Sequence, residues 1–333
     1  MKYIGARNGK VAIFETEIPQ AKPGYVLIKT SYSAISPGTE ITMMENSKGE
    51  IVPLGYSSAG IVQEVGENVD GFKKGDRVAC YGAPYVHHAE YLAVPKTLVC
   101  HVPDQVDLKE ACLAGIGAIS IHALRKADLQ FGETSLVVGL GIFGQLIGQI
   151  AENAGHQVVA LNRSKPRAEI FQETTGIDTF TDEIEMEKHI KTITNGHGVD
   201  AVFLCTGGDS NYLTNRSLEW CRDKGKSVIV GDLQPNYERT NMFAKEIDIL
   251  ISRAGGPGRY DLSYERDAID YPYGQVRWTE GRNTAEFVRL LRKKRIDVSD
   301  YITNVTDLNN IDGTYYDLQQ TGISVLTHII SYE

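Results

Sequence analysis

The most informative stretch of the chain reads Ser135-Leu136-Val137-Val138-Gly139-Leu140-Gly141-Ile142-Phe143-Gly144. Its apolar run predicts a buried strand, and the residues that follow it predict a helix. Between them, the first glycine permits a tight turn, the second lets the backbone approach a pyrophosphate, and the third lets helix and strand pack closely. Free N–H groups at the helix N-terminus attract phosphate. A strand-to-helix turn without a ligand is the alternative, but the full context indicates a dinucleotide site.

We therefore expect a dinucleotide to contact this turn and the ends of the neighbouring parallel strands. After the second strand of the unit stands an asparagine, where proteins that prefer NAD place a carboxylate, and basic residues follow it. This favours NADP(H) over NAD(H), although the amide can also bond a free ribose hydroxyl. The predicted cofactor-binding residues are Gly139, Gly141, Ile142, Phe143, Gly144, Asn162, Arg163, Ser164, Arg167, Thr206, Gly207 and Gly231.

Length, charge and cysteines limit the possible classes of protein. A chain of 333 residues suggests about two domains. A net charge of −9 gives no support for binding to nucleic acid or to an anionic membrane. Residues 1–5 lack the apolar region of a signal peptide, and the five scattered cysteines indicate reduced thiols, so we expect a cytoplasmic protein.

The pattern changes along the chain. Residues 1 to about 100 contain short β-branched and aromatic runs between turn residues, which predict an antiparallel, barrel-like domain. Strands then alternate with helices, which predicts parallel βαβ units. The predicted strands span 11–14, 25–30, 59–65, 136–138, 157–161, 201–205, 227–230, 247–251 and 324–330, with a polar helix at 284–294.

Several local motifs carry a family resemblance. The segments at residues 31–40, 53–60, 88–91 and 102–104 are similar to motifs of the medium-chain dehydrogenase/reductase superfamily, and 31–40 resembles the "S-x-I-x-x-G-T-E" segment of a zinc-lacking branch. Residues 270–283 resemble the dehydrogenase half of bi-domain oxidoreductases of sugar and polysaccharide pathways. The resemblance implies an α/β fold: a Rossmann doubly wound parallel sheet at 122–265, and a β-rich GroES-like catalytic domain at 1–121 and 266–333. It also implies a homodimer or homotetramer that pairs through the edge strand 247–251.

The resemblance bears on zinc. The positions of the family's zinc ligands hold Pro37, Tyr56 and Gly115, and none of these offers a thiolate, imidazole or carboxylate. The paired His87 and His88 are an alternative, but neighbours on a strand point to opposite faces. We therefore expect no zinc and no other metal.

Without a Lewis acid, hydrogen-bond donors must stabilise the developing oxyanion and a side chain must move the proton. By position in the resembling motifs, the predicted catalytic residues are Thr39, Glu40 and Tyr56. The alternatives are that Tyr56 only fills the space of the lost metal and that Glu40 forms a structural ion pair. The predicted substrate contacts are His88, Tyr271, Arg277 and Trp278.

The resulting prediction is a zinc-independent NAD(P)-dependent oxidoreductase that transfers a hydride between nicotinamide and a polyol, cyclitol or sugar-derived alcohol or ketone. A zinc-independent enone or quinone (C=C) reductase is one alternative, and the tyrosine motif also resembles dehydrogenases of tetrapyrrole side chains. A non-catalytic NAD(P)-binding protein is the alternative from another class. Turnover of an alcohol would support the first hypothesis, turnover of an enone alone the second, and turnover of neither a binding protein.

Overall fold

The computed structural model describes residues 1–209, 211–321 and 325–333. They cluster into two compact units, Met1–Ala118 with Ala254–Glu333, and Ile119–Arg253. The return to the first unit therefore comes earlier than the predicted boundary at 265/266. The reason lies in the segment after residue 254, because Arg259 donates to the carbonyl of Ala83 at 2.6 Å and the Tyr264 hydroxyl donates to that of Thr97 at 3.0 Å.

The first part of the first unit is rich in strands. Its elements are β1 (Lys2–Arg7), β2 (Lys10–Glu15), β3 (Tyr25–Ala34), α1 (Pro37–Glu45), β4 (Val52–Pro53), β5 (Ser57–Val65), β6 (Arg77–Tyr81), β7 (Tyr91–Pro95), β8 (Val99–His101), α2 (Leu108–Ala111) and the start of α3 (Ala114–Ala127). Strands β3, β5, β6 and β8 pair antiparallel in that order, and β7 also pairs with β3. Strands β2, β1 and β4 form a separate sheet.

The second unit alternates strands and helices. Its elements are β9 (Thr134–Val138), α4 (Ile142–Asn153), β10 (Gln157–Leu161), α5 (Lys165–Thr175), β11 (Asp178–Phe180), α6 (Glu183–Ile193), β12 (Val199–Leu204), β13 (Gly208–Asp209), α7 (Asn211–Trp220), β14 (Cys221–Ile229), β15 (Leu233–Gln234), α8 (Arg239–Lys245) and β16 (Asp248–Ile251). The described strands form a parallel sheet in the order β11-β10-β9-β12-β14-β16. This is the doubly wound order, with its switch point between β9 and β12, and it confirms the predicted fold class.

The end of the chain returns to the first unit. Its elements are α9 (Leu262–Glu265), α10 (Glu280–Arg292), β17 (Ile302–Asp307), α11 (Ile311–Thr321) and β18 (Thr327–Ser331). Strand β18 pairs antiparallel with β3, with Ile330 opposite Ser33, so the last residues complete the first unit's larger sheet. The predicted closing strand began at Ser324, which lies outside the described residues.

Each unit is built around its own apolar core. In the second unit the central strands are buried on both faces, which explains their continuous apolar runs. In the first unit one cluster lies beneath β1, α1 and α11 and includes Ile35, Leu54 and Tyr315. Elsewhere in the first unit, α10 packs closely against the start of α3, since a Cβ on Gly117 would come within 2.0 Å of the Phe287 ring. None of the helices in the described ranges is long and apolar enough to cross a bilayer.

Candidate active site

The glycine-rich turn of the second unit has the geometry of a pyrophosphate cradle. Gly139 follows β9 with a φ of 94°, and Gly141 is the N-cap of α4. A Cβ on Gly144 would lie 1.9 Å from the carbonyl oxygen of Gly139, so helix and turn touch at that point. A Cβ on Gly141, by contrast, would lie more than 4 Å from every described atom beyond its two chain neighbours. The space in front of Gly141 and the N-terminus of α4 is therefore left for a ligand.

The ends of neighbouring strands meet this turn. Thr206 follows β12, and its methyl carbon lies 2.6 Å from where a Cβ on Gly139 would stand. The Thr206 hydroxyl is buried without a hydrogen-bond partner among the described residues. A Cβ on Gly231, after β14, would come within 2.0 Å of the Thr206 carbonyl oxygen. An orphaned hydroxyl beside an open cradle fits a bound nicotinamide dinucleotide.

We expect Gly141→Ala to weaken dinucleotide binding while the fold survives. The residue has a φ of −68°, which alanine adopts freely, and its Cβ would enter open space at the N-terminus of α4, where the pyrophosphate is expected to bind. Loss of close backbone contact to the pyrophosphate should raise the dissociation constant roughly 10- to 100-fold. Titration of NADH and NADPH by fluorescence measures this. Gly274→Ala, at another glycine with open space around it, is the control, and equal binding by both variants would contradict the assignment.

Asn162 has a role that its sequence position does not reveal. Its side-chain oxygen accepts from the backbone N–H of Leu140 at 3.0 Å, and its amide donates to the carbonyl of Ser164 at 3.1 Å. The side chain therefore fixes the glycine-rich turn to the end of β10. Arg163 is exposed, and Lys165 forms an ion pair with Glu169 at 3.7 Å. These contacts give no basis for choosing between the two nicotinamide nucleotides.

The predicted catalytic residue Glu40 lies at the centre of a buried hydrogen-bond network in the first unit. One carboxyl oxygen accepts from the backbone N–H of Ser36 at 2.7 Å, so that Glu40, in the first turn of α1, bonds to the N-cap residue of the same helix. The other accepts from the Tyr315 hydroxyl and lies 2.9 Å from Nε2 of His88. Nδ1 of His88 lies 2.7 Å from the Ser33 hydroxyl, which lies 2.9 Å from that of Tyr332.

Tyr56 and Thr39 lie at the edge of this network. The Tyr56 hydroxyl is buried and forms no hydrogen bond within the part of the chain that the structure describes. Burial raises the pKa of Tyr56 most, the nearby Ser36 and Thr39 hydroxyls lower it, and the Glu40 carboxyl raises it. Thr39 is exposed, 3.5 Å from the Ser36 hydroxyl. The phenol therefore stays protonated at neutral pH and can act as a donor.

The surroundings of Tyr56 do not fit a metal centre. A Cβ on Gly115 would lie 2.5 Å from the Tyr81 ring and 2.7 Å from the Ser57 hydroxyl, so no ligand side chain fits there. The rings of Tyr56 and Tyr81 meet edge to face with centroids 6.0 Å apart. Among the described residues, no group of three or more His, Cys, Asp or Glu side chains could hold a metal ion.

A second buried acidic cluster in the first unit was missed from the sequence. Glu280, at the start of α10, is fully buried, and neither carboxyl oxygen has a hydrogen-bond partner among the described side chains and backbone groups. Burial raises the pKa of Glu280 to about 8; the nearby Glu265 also raises it, and Arg259 lowers it. Arg259 forms an ion pair with Glu265, and the Tyr81 hydroxyl accepts from the N–H of Gly255 at 2.9 Å. A glutamate in a first helical turn is ordinarily solvent-exposed, so the sequence carried no signal for this burial.

The predicted substrate residues occupy different environments. His88 is fully buried, with both ring nitrogens engaged and its ring 2.7 Å from where a Cβ on Gly55 would stand. Tyr271 stacks on Tyr264 and donates its hydroxyl to Asp261. Arg277 is exposed beside Trp278. The geometry therefore gives His88 and Tyr271 structural partners and leaves the guanidinium of Arg277 facing solvent.

Two family models match most of the chain. The model of the alcohol dehydrogenase GroES-like domain matches residues 22–128, and the model of the zinc-binding dehydrogenases matches residues 143–267. The first match confirms the predicted GroES-like domain.

Individual proteins are similar over most of their length. A sorbitol dehydrogenase of Halalkalibacterium halodurans is 27% identical over 284 residues, which cover 74% of this chain and 81% of that protein. A D-arabitol-phosphate dehydrogenase of Enterococcus avium is 26% identical over 284 residues, which cover 74% and 80%. The solved structure of 2R,3R-butanediol dehydrogenase from Bacillus subtilis superposes with a TM-score of 0.80 at 19% identity, covering 100% of this chain and 99% of that one, and it shows the same fold.

These comparisons correct the prediction about cofactors. The matched family model is that of zinc-binding dehydrogenases, so the prediction of a zinc-free protein is wrong, and a preference for NADP(H) is not established. The zinc-free prediction relied on three positions carried over one by one. The NADP(H) preference relied on Asn162 and on the basic residues after it, whereas the Asn162 side chain fixes a turn.

Proposed function

The chain belongs to the medium-chain dehydrogenase/reductase superfamily and is an NAD(P)-dependent, alcohol-dehydrogenase-like oxidoreductase, and from this premise we propose that it acts on polyols or on alcohols and ketones derived from sugars. The names of the relatives support this substrate class, since sorbitol and arabitol phosphate are both polyhydroxylated. The observation that carries the proposal is the open cradle at Gly141 beside the orphaned Thr206 hydroxyl.

The dinucleotide would be held by Gly139, Gly141, Gly144 and Thr206, and when bound it supplies or accepts a hydride. The chain's own contribution to carbonyl reduction is a proton donor, and Tyr56 fits that role. Its hydroxyl lies beside those of Ser36 and Thr39, and burial keeps it protonated. A phenol held in a dry site stabilises the oxygen that gains negative charge, and it can pass its proton to that oxygen.

Glu40 and His88 take positioning roles in this proposal, and Thr39 is a second hydroxyl near the donor. Glu40 fixes the backbone of Ser36, whose hydroxyl lies beside both Tyr56 and Thr39. His88 packs against Gly55, the residue before Tyr56, and so supports the strand entry that carries the phenol.

We expect Tyr56→Phe to lower kcat by about 100-fold, the usual contribution of a positioned acid, without loss of stability. Since the hydroxyl forms no short hydrogen bond to any described residue, the free energy of unfolding should stay about the same. Steady-state kinetics and denaturant unfolding of the same variant measure both quantities. Tyr316→Phe, at an exposed tyrosine of the same unit, is the control, and full turnover of Tyr56→Phe would remove the phenol from the mechanism.

A turnover screen tests the proposed substrate class. Purified protein is incubated with NAD⁺ and NADP⁺ and a panel of polyols, then with NADH and NADPH and ketoses or enones, and the absorbance of the reduced nucleotide is followed. Turnover of a polyol or ketose supports the proposal, and activity on enones alone would replace it with C=C reduction. Nucleotide binding with no turnover at all would favour a binding protein. The zinc content of the same sample is measured as well. The matched family model is that of zinc-binding dehydrogenases, whereas the described residues contain no group of three or more side chains that could hold a metal ion.

A further inference from the structure

Arg277 differs from the arginines around it. Arg259, Arg266 and Arg282 form ion pairs with Glu265, Asp267 and Asp270. Arg277 is exposed and forms no ion pair with a carboxylate anywhere in residues 1–209, 211–321 and 325–333. An uncompensated guanidinium in this segment stands out in a chain whose net charge is −9.

The faces of this guanidinium lie against aromatic rings. Its central carbon lies 3.7 Å from the centroid of the Trp278 ring and 4.5 Å from that of Tyr273. Rings against the planar faces leave the N–H edge as the hydrogen-bonding side. That edge matches two oxygens of a phosphate or carboxylate, and the stacked group has already lost much of its water and rotamer freedom.

The segment that carries Arg277 is fixed in place before any ligand arrives. Arg282 donates to the carbonyl of Val276, directly before Arg277, and to that of Tyr271 at 3.2 Å. The Thr279 side chain caps α10 by accepting from the N–H of Arg282 at 3.3 Å. These contacts hold the backbone on both sides of Arg277, which lowers the entropy cost of ordering this segment when an anion binds.

We propose that Arg277 is the anion-binding group of a substrate site and that the substrate is a polyol or sugar carrying a phosphate or a carboxylate. The anionic group binds the N–H edge of Arg277, and the carbon chain or ring lies against the exposed part of Tyr273, a residue that is 57% exposed. This inference rests on the proposed function and narrows its substrate class.

Three ligands of similar size test it: sorbitol, sorbitol 6-phosphate and gluconate. In the wild-type protein we expect kcat/KM for at least one of the two anions to exceed that for sorbitol. R277Q should raise the KM for that anion roughly 10- to 100-fold, while kcat and the kinetics with sorbitol stay the same. R277K keeps the positive charge but loses the two parallel N–H donors of the guanidinium, so its KM for the anion should lie between those of the wild type and R277Q. R266Q, at an exposed arginine of the same segment, is the matched control.

Calorimetric titration of the same three compounds separates this inference from the proposed function. Binding of an anion that is lost in R277Q supports the site even if no compound is oxidised, in which case only the proposed function fails. Oxidation of sorbitol with no advantage for either anion and no effect of R277Q would overturn the inference alone. The preferred anion tells whether the site takes phosphate or carboxylate.

Discussion

Replacing Glu280 by glutamine (E280Q) is expected to remove a large pH dependence of stability. In the folded protein burial raises the pKa of this carboxyl from 4.5 to about 8, with Glu265 adding to the shift and Arg259 opposing it. The charge of the Glu280 carboxyl in turn raises the pKa of three nearby tyrosines, Tyr81, Tyr264 and Tyr271. Glutamine resembles the protonated carboxyl in shape but cannot ionise.

The sign follows from proton binding. Below pH 4.5 both the folded and the unfolded chain hold the Glu280 proton, so its stabilising contribution is fully present. Between pH 4.5 and about 8 only the folded chain retains it, and the free energy of unfolding falls as the pH rises. Above about 8 the loss is complete and the curve becomes flat. At about 1.4 kcal/mol per pKa unit, this one group accounts for a loss of at most roughly 5 kcal/mol.

Denaturant unfolding at pH 5, 6, 7, 8 and 9 measures this dependence. We expect the wild-type protein to lose more stability than E280Q over that range, and E280Q to be the more stable of the two at the alkaline end. Glu17→Gln, at an exposed carboxylate, should follow the wild-type curve. Parallel curves for E280Q and the wild type would show that Glu280 is already ionised at neutral pH.

Replacing Glu40 by alanine is expected to destabilise the first unit by about 3–9 kcal/mol. The substitution leaves three buried donors without an acceptor, namely the Ser36 N–H, the His88 ring and the Tyr315 hydroxyl. Each unsatisfied buried donor costs about 1–3 kcal/mol. A cavity forms as well, because the Glu40 side chain has no exposed surface.

The free energy of unfolding from denaturant curves measures this cost, and Glu45→Ala, at an exposed position of the same helix, provides the comparison. A loss below about 1 kcal/mol for Glu40→Ala would mean that water replaces the carboxyl in the network. In Glu40→Gln one side-chain oxygen remains to accept, but an N–H₂ group replaces the other, so at least one donor meets a donor. We therefore expect this variant to fall between alanine and the wild type.

The sequence predicted the second unit well because its signals are local. The glycine spacing after β9 and the apolar runs of the strands depend on neighbours within a few residues, and the observed β10 spans the predicted 157–161. The sequence also narrowed the possible strand orders, since alternating strands and helices restrict the sheet to few topologies. The zinc-free prediction failed because it carried single positions over from a family pattern without information about what surrounds them.

The sequence by itself determined the presence of a dinucleotide turn, the two kinds of architecture and the candidate residues Glu40 and Tyr56. Only the tertiary structure decided what those residues contact. Tyr315 and His88 meet Glu40 from positions 275 and 48 residues away, and Glu280 is enclosed by segments from two distant parts of the chain. Periodicity and spacing report on the nearest turns of a helix or strand, whereas burial and hydrogen-bond partners arise from contacts between segments far apart in sequence. That is why Glu280, an ordinary helix-start glutamate in the sequence, is a buried acid whose pKa is raised in the fold.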